Sequence, residues 1–355
     1  MPSPDGTEAA RPDLPEGLPD PARLERLLGW RPAKAAAIGG GRNSRVFRLE
    51  AEDGPRAALK RYFRHPGDPR DRLATEFGAL AFCHRHGLPV PRPLAKDPGM
   101  DVALYEWVDG APVETPDRAD ADAAVAFLLR LRGLAGEAGT AAMPAASEAC
   151  FSFRALEANL QARLGPLHQA AADFPELRAF LREDLVPAWE ALLAGCREGC
   201  RRAGMPFDQE LPARDCTLSP SDFGFHNTLR REGSLVFLDF EYFGWDDPAK
   251  TLCDLLLHPG MTLSAELRAR LAQGLLAGMA DLPDLAVRTR LAFPLYGIKW
   301  CLILLNEFLR GPLERRAFAR PGEAPETLQA RQLHKAQGKL RQLLDDHGHF
   351  PYFPA

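Results

Sequence analysis

Residues 219–227 read SPSDFGFHN, and LDFE follows at residues 238–241 after a predicted hairpin. Asp222 and Asn227 lie five residues apart on a loop, so both side chains can point into one cleft. Asp222 offers a carboxylate that accepts a proton, and Asn227 offers an amide oxygen to a metal ion. The hairpin returns the chain, so that Asp239 at its strand end reaches the same metal from the other side. The alternative is a surface turn rich in Asp and Asn.

The chain before this stretch predicts a small sheet with one helix. The pattern predicts helices over residues 21–28 and 70–86, strands over 44–49, 56–62 and 102–107, and an extended segment over 89–94. The order of two strands, a helix and two strands predicts a small mixed β-sheet that carries one helix.

Long helical patterns surround the predicted hairpin. They cover residues 119–134, 153–164, 176–201 with a kink near Pro187, 248–258, 265–279, 282–308 and 325–346. The hairpin pairs residues 227–230 with 234–239 around Glu232-Gly233. The predicted fold class is therefore α+β, with a loosely ordered tail over residues 1–20, a sheet-rich lobe over 21–106 and a larger, mainly helical lobe over 107–355.

The loop and the strand end together resemble the aminoglycoside phosphotransferase and choline kinase family, whose loop reads H-G-D-x-x-x-x-N and precedes a D-x-E or D-x-D strand end. The match is D-F-G-F-H-N followed by L-D-F-E, and the resemblance runs from about Ala35 to Leu309. It implies the two-lobed fold of protein kinases, with a nucleotide-binding amino-terminal lobe. Pro220 and Ser221 depart from the pattern, because they stand where the family has His-Gly. In kinase folds that His braces the loop and is not the base.

The resemblance also implies a lysine and glutamate pair that holds phosphate. Lys60 follows Ala57-Ala58-Leu59 on a predicted strand, at the place of the strand lysine that holds the α- and β-phosphates in the family. Glu76, on the next helix, is the natural partner that orients Lys60 in a buried pair. The alternative for Lys60 is an exposed lysine on a strand, and the alternative for Glu76 is a solvated charge on a helix. The choice of Glu76 as the partner of Lys60 also leaves open a residue one helical turn away.

Two further segments match places that contact nucleotide in the family. Residues 39–44 precede the first long strand, where a glycine-rich loop folds its N–H groups over phosphates. They contain neither G-x-G-x-x-G nor G-K-[ST], and Gly41, Asn43 and Ser44 are the candidate phosphate contacts, with a plain turn as the alternative. Glu106 and Val108 match the linker whose backbone pairs with adenine, and here the alternative is a strand end.

By this resemblance the expected reaction is phosphoryl transfer from ATP or GTP to the hydroxyl of a small molecule. Asp222 is the expected base, and Asn227 and Asp239 are the expected Mg²⁺ ligands. No A-P-E signature or long activation segment follows Asp239, which disfavours a protein substrate and leaves a sugar, an amino alcohol or an aminoglycoside-like acceptor. The competing hypothesis is a catalytically weak pseudokinase that binds nucleotide without turnover, with Pro220-Ser221 as its mark.

The sequence contains few signals of acceptor recognition. Acidic residues lie in segments that border the cleft in related proteins, namely Glu241, Asp246 and Glu307. An acidic surface there suits a cationic acceptor, and a solvated face is the alternative.

Composition sets the remaining expectations. The chain has 355 residues, a formal net charge of -4 and a pI near 6.2, which argues against nucleic acid or an anionic membrane as a partner. Seven cysteines without a C-x-x-C pair argue against a disulfide framework or a zinc site and favour the cytoplasm. Residues 1–20 do not resemble a secretory signal, and the apolar run Trp300 to Leu305 is too short to span a bilayer. The oligomeric state is left open.

Overall fold

The computed structural model describes residues 15, 18–39, 43–320 and 322–346. Most of the tail expected over residues 1–20, and Gly41 among the candidate phosphate contacts, lie outside the described residues.

The amino-terminal lobe is a five-stranded sheet with two helices. Its elements are α1 (Pro21–Leu28), β1 (Lys34–Ile38), β2 (Ser44–Glu50), β3 (Arg56–Tyr62), α2 (Arg72–Arg85), β4 (Pro93–Asp97) and β5 (Val102–Glu106). The strand order is β1-β2-β3-β5-β4, and every neighbouring pair is antiparallel. The expectation of a mixed sheet was therefore wrong. A short turn joins β4 to β5, so these two strands run antiparallel, and β5 also runs antiparallel to β3. The sequence KAAAI of β1 carries little strand propensity, and its pairing with β2 decides its conformation.

The period of two along β3 separates the two faces of this sheet. Leu59 packs with Phe47, Leu104 and Leu24 of α1 in a core on one face. Lys60 is buried on the opposite face, toward α2. Alternation of this kind places a charged side chain inside the lobe without interrupting the apolar layer.

The carboxyl-terminal lobe is mainly helical. Its elements are β6 (Ala111–Pro112), α3 (Arg118–Gly133), α4 (Phe153–Ala170), α5 (Pro175–Phe180), α6 (Val186–Ala203), β7 (Thr217–Ser219), β8 (Thr228–Arg231), β9 (Ser234–Phe237), β10 (Gly244–Asp246), α7 (Pro248–Leu257), α8 (Ala265–Gly278), α9 (Leu285–Leu304), α10 (Arg310–Ala319) and α11 (Pro325–Asp346). The predicted helices are confirmed, and α10, whose polar sequence has no apolar stripe, was not predicted. The kink expected near Pro187 is a π-helical turn over Leu181–Leu185, which fits the missing N–H of proline.

The predicted hairpin is the feature that positions the candidate site. Glu232 and Gly233 both have positive φ, 50° and 79°, as a two-residue turn between β8 and β9 requires. The Leu238 N–H donates to the Asn227 carbonyl oxygen at 2.9 Å. This bond brings the loop before β8 beside the segment after β9, which joins Asn227 to the neighbourhood of Asp239.

One apolar stretch of the described residues, Leu285–Phe308, is long enough to cross a membrane by length and composition. It is longer than the short run noticed in the sequence. In the fold, 78% of its apolar window is buried, and it packs against α7, α6 and α11. Its composition is therefore that of a core helix.

Candidate active site

Lys60 connects the two lobes at the cleft. Its Nζ lies 2.6 Å from Glu76 Oε2 and 2.6 Å from Asp239 Oδ1. The Tyr62 hydroxyl donates to the same Glu76 oxygen at 2.8 Å, which fixes the carboxylate on the inner face of α2. The predicted pair of Lys60 and Glu76 therefore forms, without a shift of one helical turn. The carboxylates raise the pKa of Lys60 well above its usual value, outweighing the opposite effect of burial, so the side chain stays a cation.

Three carboxylates surround this one ammonium group. Ligand oxygens of Glu76, Asp239 and Glu241 lie within 4.8 Å of one another, and the second oxygen of Glu241, Oε2, is buried without a hydrogen bond among the described residues. Burial and the neighbouring carboxylates raise the pKa of Asp239 to about 7 despite the opposite effect of Lys60. Crowded negative charge and an unsatisfied oxygen fit a hard divalent cation such as Mg²⁺, which prefers oxygen ligands.

Asn227 lies next to the segment that carries Asp239, because its carbonyl oxygen accepts from the Leu238 N–H. It ends a short 3₁₀ turn over Phe225–Asn227, and its Nδ2 donates to the main-chain oxygen of Asp222 at 3.0 Å. Because the amide nitrogen is used in this bond, the amide oxygen remains as the atom for a metal ion.

Asn43, at the described end of the loop over residues 39–44, contacts the carboxylate cluster of Glu76, Asp239 and Glu241. Asn43 Nδ2 donates to Glu241 Oε1 at 2.7 Å and to the Tyr242 hydroxyl at 2.8 Å. Ser44 is buried at the start of β2, opposite Tyr62 of β3. Asn43 therefore ties the loop to the segment after Asp239, a contact that the sequence did not indicate.

At the far end of the cleft, β5 ends at Glu106 and the linker passes through Val108. The Glu106 side chain accepts from the Arg92 N–H at 3.2 Å and pairs with Arg231 at 3.2 Å. The side chain of Val108 is buried. These contacts hold the linker between β5 and β6 in place, so that main-chain groups are what it can offer to a ligand.

Two histidines hold the carboxylate of Asp222. Nε2 of His226 and Nε2 of His258 lie 3.2 and 3.1 Å from Asp222 Oδ1. The Gly260 N–H donates to Nδ1 of His258 at 3.0 Å, which assigns the proton of that ring to Nε2. Burial acts to raise the pKa of Asp222, but the two imidazoles hold it well below its usual range. Asp222 is therefore ionised.

The same three residues do not form a convincing metal site. Their ligand atoms lie within 4.8 Å of one another, but the rings of His226 and His258 stack with centroids 3.7 Å apart and planes 6° from parallel. Because Nδ1 of His258 accepts from the Gly260 N–H, Nε2 of that ring carries a proton and offers no lone pair to an ion. We therefore treat both histidines as hydrogen-bond donors. His258 lies at the end of α7, and its distance in sequence from Asp222 hid this contact.

Ser221 shows how the loop accommodates the unusual Pro220-Ser221 pair. Its φ is 67°, the left-handed conformation that glycine adopts most easily, and glycine is what the family pattern has here. The Ser221 hydroxyl donates to the Ser147 carbonyl oxygen at 3.2 Å and accepts from Lys250 Nζ at 3.0 Å. The loop thus keeps the glycine-like backbone with a serine.

The brace beneath the loop is Lys250, a residue that sequence reasoning missed. It is buried between Asp246 and Asp254, with Nζ 2.6 and 3.1 Å from their carboxylates. Asp254 therefore contacts the loop through this lysine. The spacing of four residues on each side was the available signal. Asp247 caps α7, accepting from the Ala249 N–H at 2.8 Å.

The acidic residues near the cleft do not form an open acidic surface. Glu241 is bonded to Asn43, Asp246 to Lys250 and Glu307 to Arg316. All three are buried. The expected acidic face for a cationic acceptor is therefore absent among these residues.

Fold and site together define a two-lobed, kinase-like phosphotransferase. The family model described as "Phosphotransferase enzyme family" (APH) matches residues 34–287, well over half of the chain. The chain belongs to this family, and it is a small-molecule phosphotransferase that acts on hydroxyl groups. No curated protein matches the sequence.

Solved structures share the fold at low sequence identity. A choline/ethanolamine kinase family protein from Mesorhizobium loti is 18% identical with a TM-score of 0.53, covering 88% of this chain and 92% of its own. A spectinomycin phosphotransferase in complex with ADP and spectinomycin is 13% identical with a TM-score of 0.57, covering 90% and 98%. A macrolide 2'-phosphotransferase from Brachybacterium faecium is 20% identical with a TM-score of 0.53, covering 85% and 98%.

Proposed function

We propose that this enzyme transfers the γ-phosphoryl group of ATP or GTP to a small-molecule hydroxyl, with Mg²⁺ as cofactor. The observation that carries the proposal is the bridge from Lys60 to Glu76 and Asp239 across the cleft, at 2.6 Å each. A basic side chain is thereby held beside a carboxylate cluster suited to a dication. The ADP bound to the spectinomycin phosphotransferase supports a nucleotide donor.

Each residue of the cluster has a separate role in the proposal. Lys60, oriented by Glu76, binds the α- and β-phosphates, and Asp239 and Asn227 hold Mg²⁺. When bound, the ion neutralises charge on the phosphate oxygens. Lys60 and Asp239 contact each other in the structure, so triphosphate and metal replace part of an existing ion pair.

Asp222 orients the acceptor hydroxyl. In the reaction, the acceptor oxygen forms a bond to the γ-phosphorus, the bond from that phosphorus to the bridging oxygen breaks, and the nucleoside diphosphate leaves. Asp222 takes the hydroxyl proton late, as a loose transition state allows. Its lowered pKa makes it a weak base, so positioning is its larger contribution. The preserved carboxylates and the ordered loop favour this reading over a pseudokinase.

The rest of the nucleotide site follows from the loop and the linker. Gly41, Asn43 and Ser44 cover the phosphates, and for this Asn43 exchanges its bonds to Glu241 and Tyr242. The main-chain groups of Glu106 and Val108 pair with the purine base.

The proposal extends to the lobes and the compartment. We assign residues 21–106 to the nucleotide lobe and 107–355 to the lobe that carries the catalytic loop and the acceptor. All seven cysteines are free thiols, which supports a reducing compartment such as the cytoplasm.

Substitution of Lys60 tests the nucleotide site. Lys60→Ala removes the cation that binds the phosphates, and we expect affinity for Mg–ATP or Mg–GTP to fall about tenfold or more in calorimetric titrations. Lys96→Ala is the matched control, since Lys96 is exposed on β4 of the same sheet. Equal affinity in wild type and Lys60→Ala would remove Lys60 from the site. Comparison of the two nucleotides in the wild type decides between ATP and GTP.

A further inference from the structure

A cavity between the two lobes lies outside the cluster described above. Its volume is about 460 Å³, within the usual range for small-molecule sites. Its walls come from the segment that joins β3 to α2, from the loop before α4 and from the first turns of α10. The lining residues include Phe63, Asp68, Arg70, Glu148, Pro312 and Arg315.

Arginine side chains lie in and beside the wall of this cavity. Arg70 and Arg72 lie over the ring of Tyr242, at 5.7 and 5.9 Å from its centroid, and both pair with Asp68. Arg315 lines the same cavity, and within the described part of the chain no hydrogen bond or ion pair engages it. Burial lowers the pKa of Arg315, and repulsion by Arg72 and Arg70 adds to this effect, against the opposite effects of Tyr242 and Glu241.

The acidic residues of the cavity are already matched. Asp68 is shared by the two arginines above, which lower its pKa despite its burial. Glu148 lies 2.9 Å from Arg163 and accepts from Asn159 at 2.6 Å. Two guanidinium groups thus share one carboxylate, and Arg315 has no carboxylate partner among the described residues, so positive charge exceeds negative charge at the cavity. The first turn of α10, whose N–H groups carry partial positive charge, lines the same wall through Gly311 and Pro312.

The cavity wall is attached to the catalytic loop. Glu148 follows Ser147, whose carbonyl oxygen accepts from the Ser221 hydroxyl at 3.2 Å. The Ser147 N–H donates to the main-chain oxygen of Tyr242 at 3.0 Å. One short segment thus contacts the residue before Asp222 and the segment that follows Asp239.

We propose that this cavity binds a carboxylate or phosphate group of the acceptor through Arg315 and Arg70, while the acceptor's hydroxyl faces Asp222. The proposal rests on the phosphotransferase function proposed above and narrows its acceptor to hydroxy compounds that carry an oxyanion. It reverses the cationic acceptor suggested by the sequence.

Matched sets of hydroxy compounds test this proposal on the full chain saturated with Mg–ADP. One set is gluconate, glucitol and glucamine, and the other is glycerate, glycerol and 3-aminopropane-1,2-diol. In calorimetric titrations, we expect at least one of the two acids to bind about tenfold or more tightly than its neutral and amino partners. Arg315→Gln weakens that binding about tenfold, and Arg315→Lys restores part of it.

Arg310→Gln is the control, because Arg310 lies on the same helix with its side chain 93% exposed; it leaves acid binding unchanged. Tightest binding by an amine, no measurable binding by either acid, or equal acid binding in wild type and Arg315→Gln would each overturn the proposal. Loss of Mg–ADP affinity in Arg315→Gln with acid binding retained would also overturn it, by assigning Arg315 to the nucleotide. Failure of the wild type to bind Mg–ADP is seen before any acid is added, and it contradicts the phosphotransferase site itself.

Discussion

Ser221 and Asp239 both hold a left-handed backbone conformation at the site, with φ of 67° and 66°. For a residue other than glycine this conformation costs roughly 1–2 kcal/mol. The Ser221 hydroxyl makes two hydrogen bonds, to Ser147 and Lys250, each contributing about 0.5–1.5 kcal/mol. Cost and gain are similar in size, which explains how serine replaces the family's glycine here.

This balance predicts a small effect of Ser221→Gly. Glycine relieves the backbone cost and loses the two hydrogen bonds, so we expect the free energy of unfolding to change by no more than about 1 kcal/mol and kcat to change only modestly. Ser221→Val, which is β-branched and lacks the hydroxyl, is expected to destabilise by about 2 kcal/mol or more. Urea unfolding and steady-state kinetics measure both. A collapse of kcat in Ser221→Gly would show that the hydroxyl acts in the reaction.

At the scale of elements, α7 supports the catalytic loop from below. Its buried Lys250 contacts Ser221 and lies between two aspartates, and His258 at its end reaches Asp222. One helix therefore sets both the backbone before Asp222 and the orientation of its carboxylate. The sequence shows the spacing of Asp246, Lys250 and Asp254, but such spacing is usual on exposed helix faces. Because neighbouring elements bury α7, the same spacing here forms a buried ion cluster.

Lys250→Met is therefore expected to be strongly destabilising. It leaves Asp246 and Asp254 buried without their cation, which costs about 3–5 kcal/mol. Burial already raises the pKa of Asp246 in the native protein, and without Lys250 that pKa rises further. A carboxyl with a raised folded-state pKa stabilises the fold at low pH, and the contribution is lost as pH rises through that pKa. The loss of stability should thus be smaller at pH 5 than at pH 8.

Unfolding by urea at the two pH values measures this difference. The double variant Asp246→Asn with Lys250→Met serves as the control, because it removes one of the stranded charges and should regain part of the stability. An equal loss at both pH values would contradict the buried ion cluster.

At the scale of the whole molecule, local pattern predicted most of the architecture. The hairpin around Glu232-Gly233 and the helices other than α10 were predicted because their turns and apolar periods are local signals. The strand β1 has little strand propensity of its own and depends on its pairing with β2. The direction of β5 relative to β3 depends on pairing between segments far apart in sequence, so the mixed sheet was wrong. Helix α10 has no apolar stripe, and its packing beside β2 is a tertiary effect.

The candidate site shows the same division. The spacing of Asp222, Asn227 and Asp239 could be read from the chain, and so could the pair of Lys60 and Glu76. The contacts of His258 with Asp222 and of Arg315 with the cavity join segments far apart in sequence. These contacts form only in the folded chain, so no sequence motif predicted them.

Transfer of labelled γ-phosphate from Mg–nucleotide to a pool of small hydroxyl compounds, measured for wild type and for Asp222→Asn, shows whether Asp222 orients the acceptor hydroxyl and takes its proton. The substitution keeps the size of the side chain and removes its charge. General-base and positioning effects of this kind are worth about 10²–10⁴ in rate, so we expect a labelled product from the wild type, a drop of that order in Asp222→Asn, and equal nucleotide affinity in both. The same product at the same rate from both proteins would contradict the account.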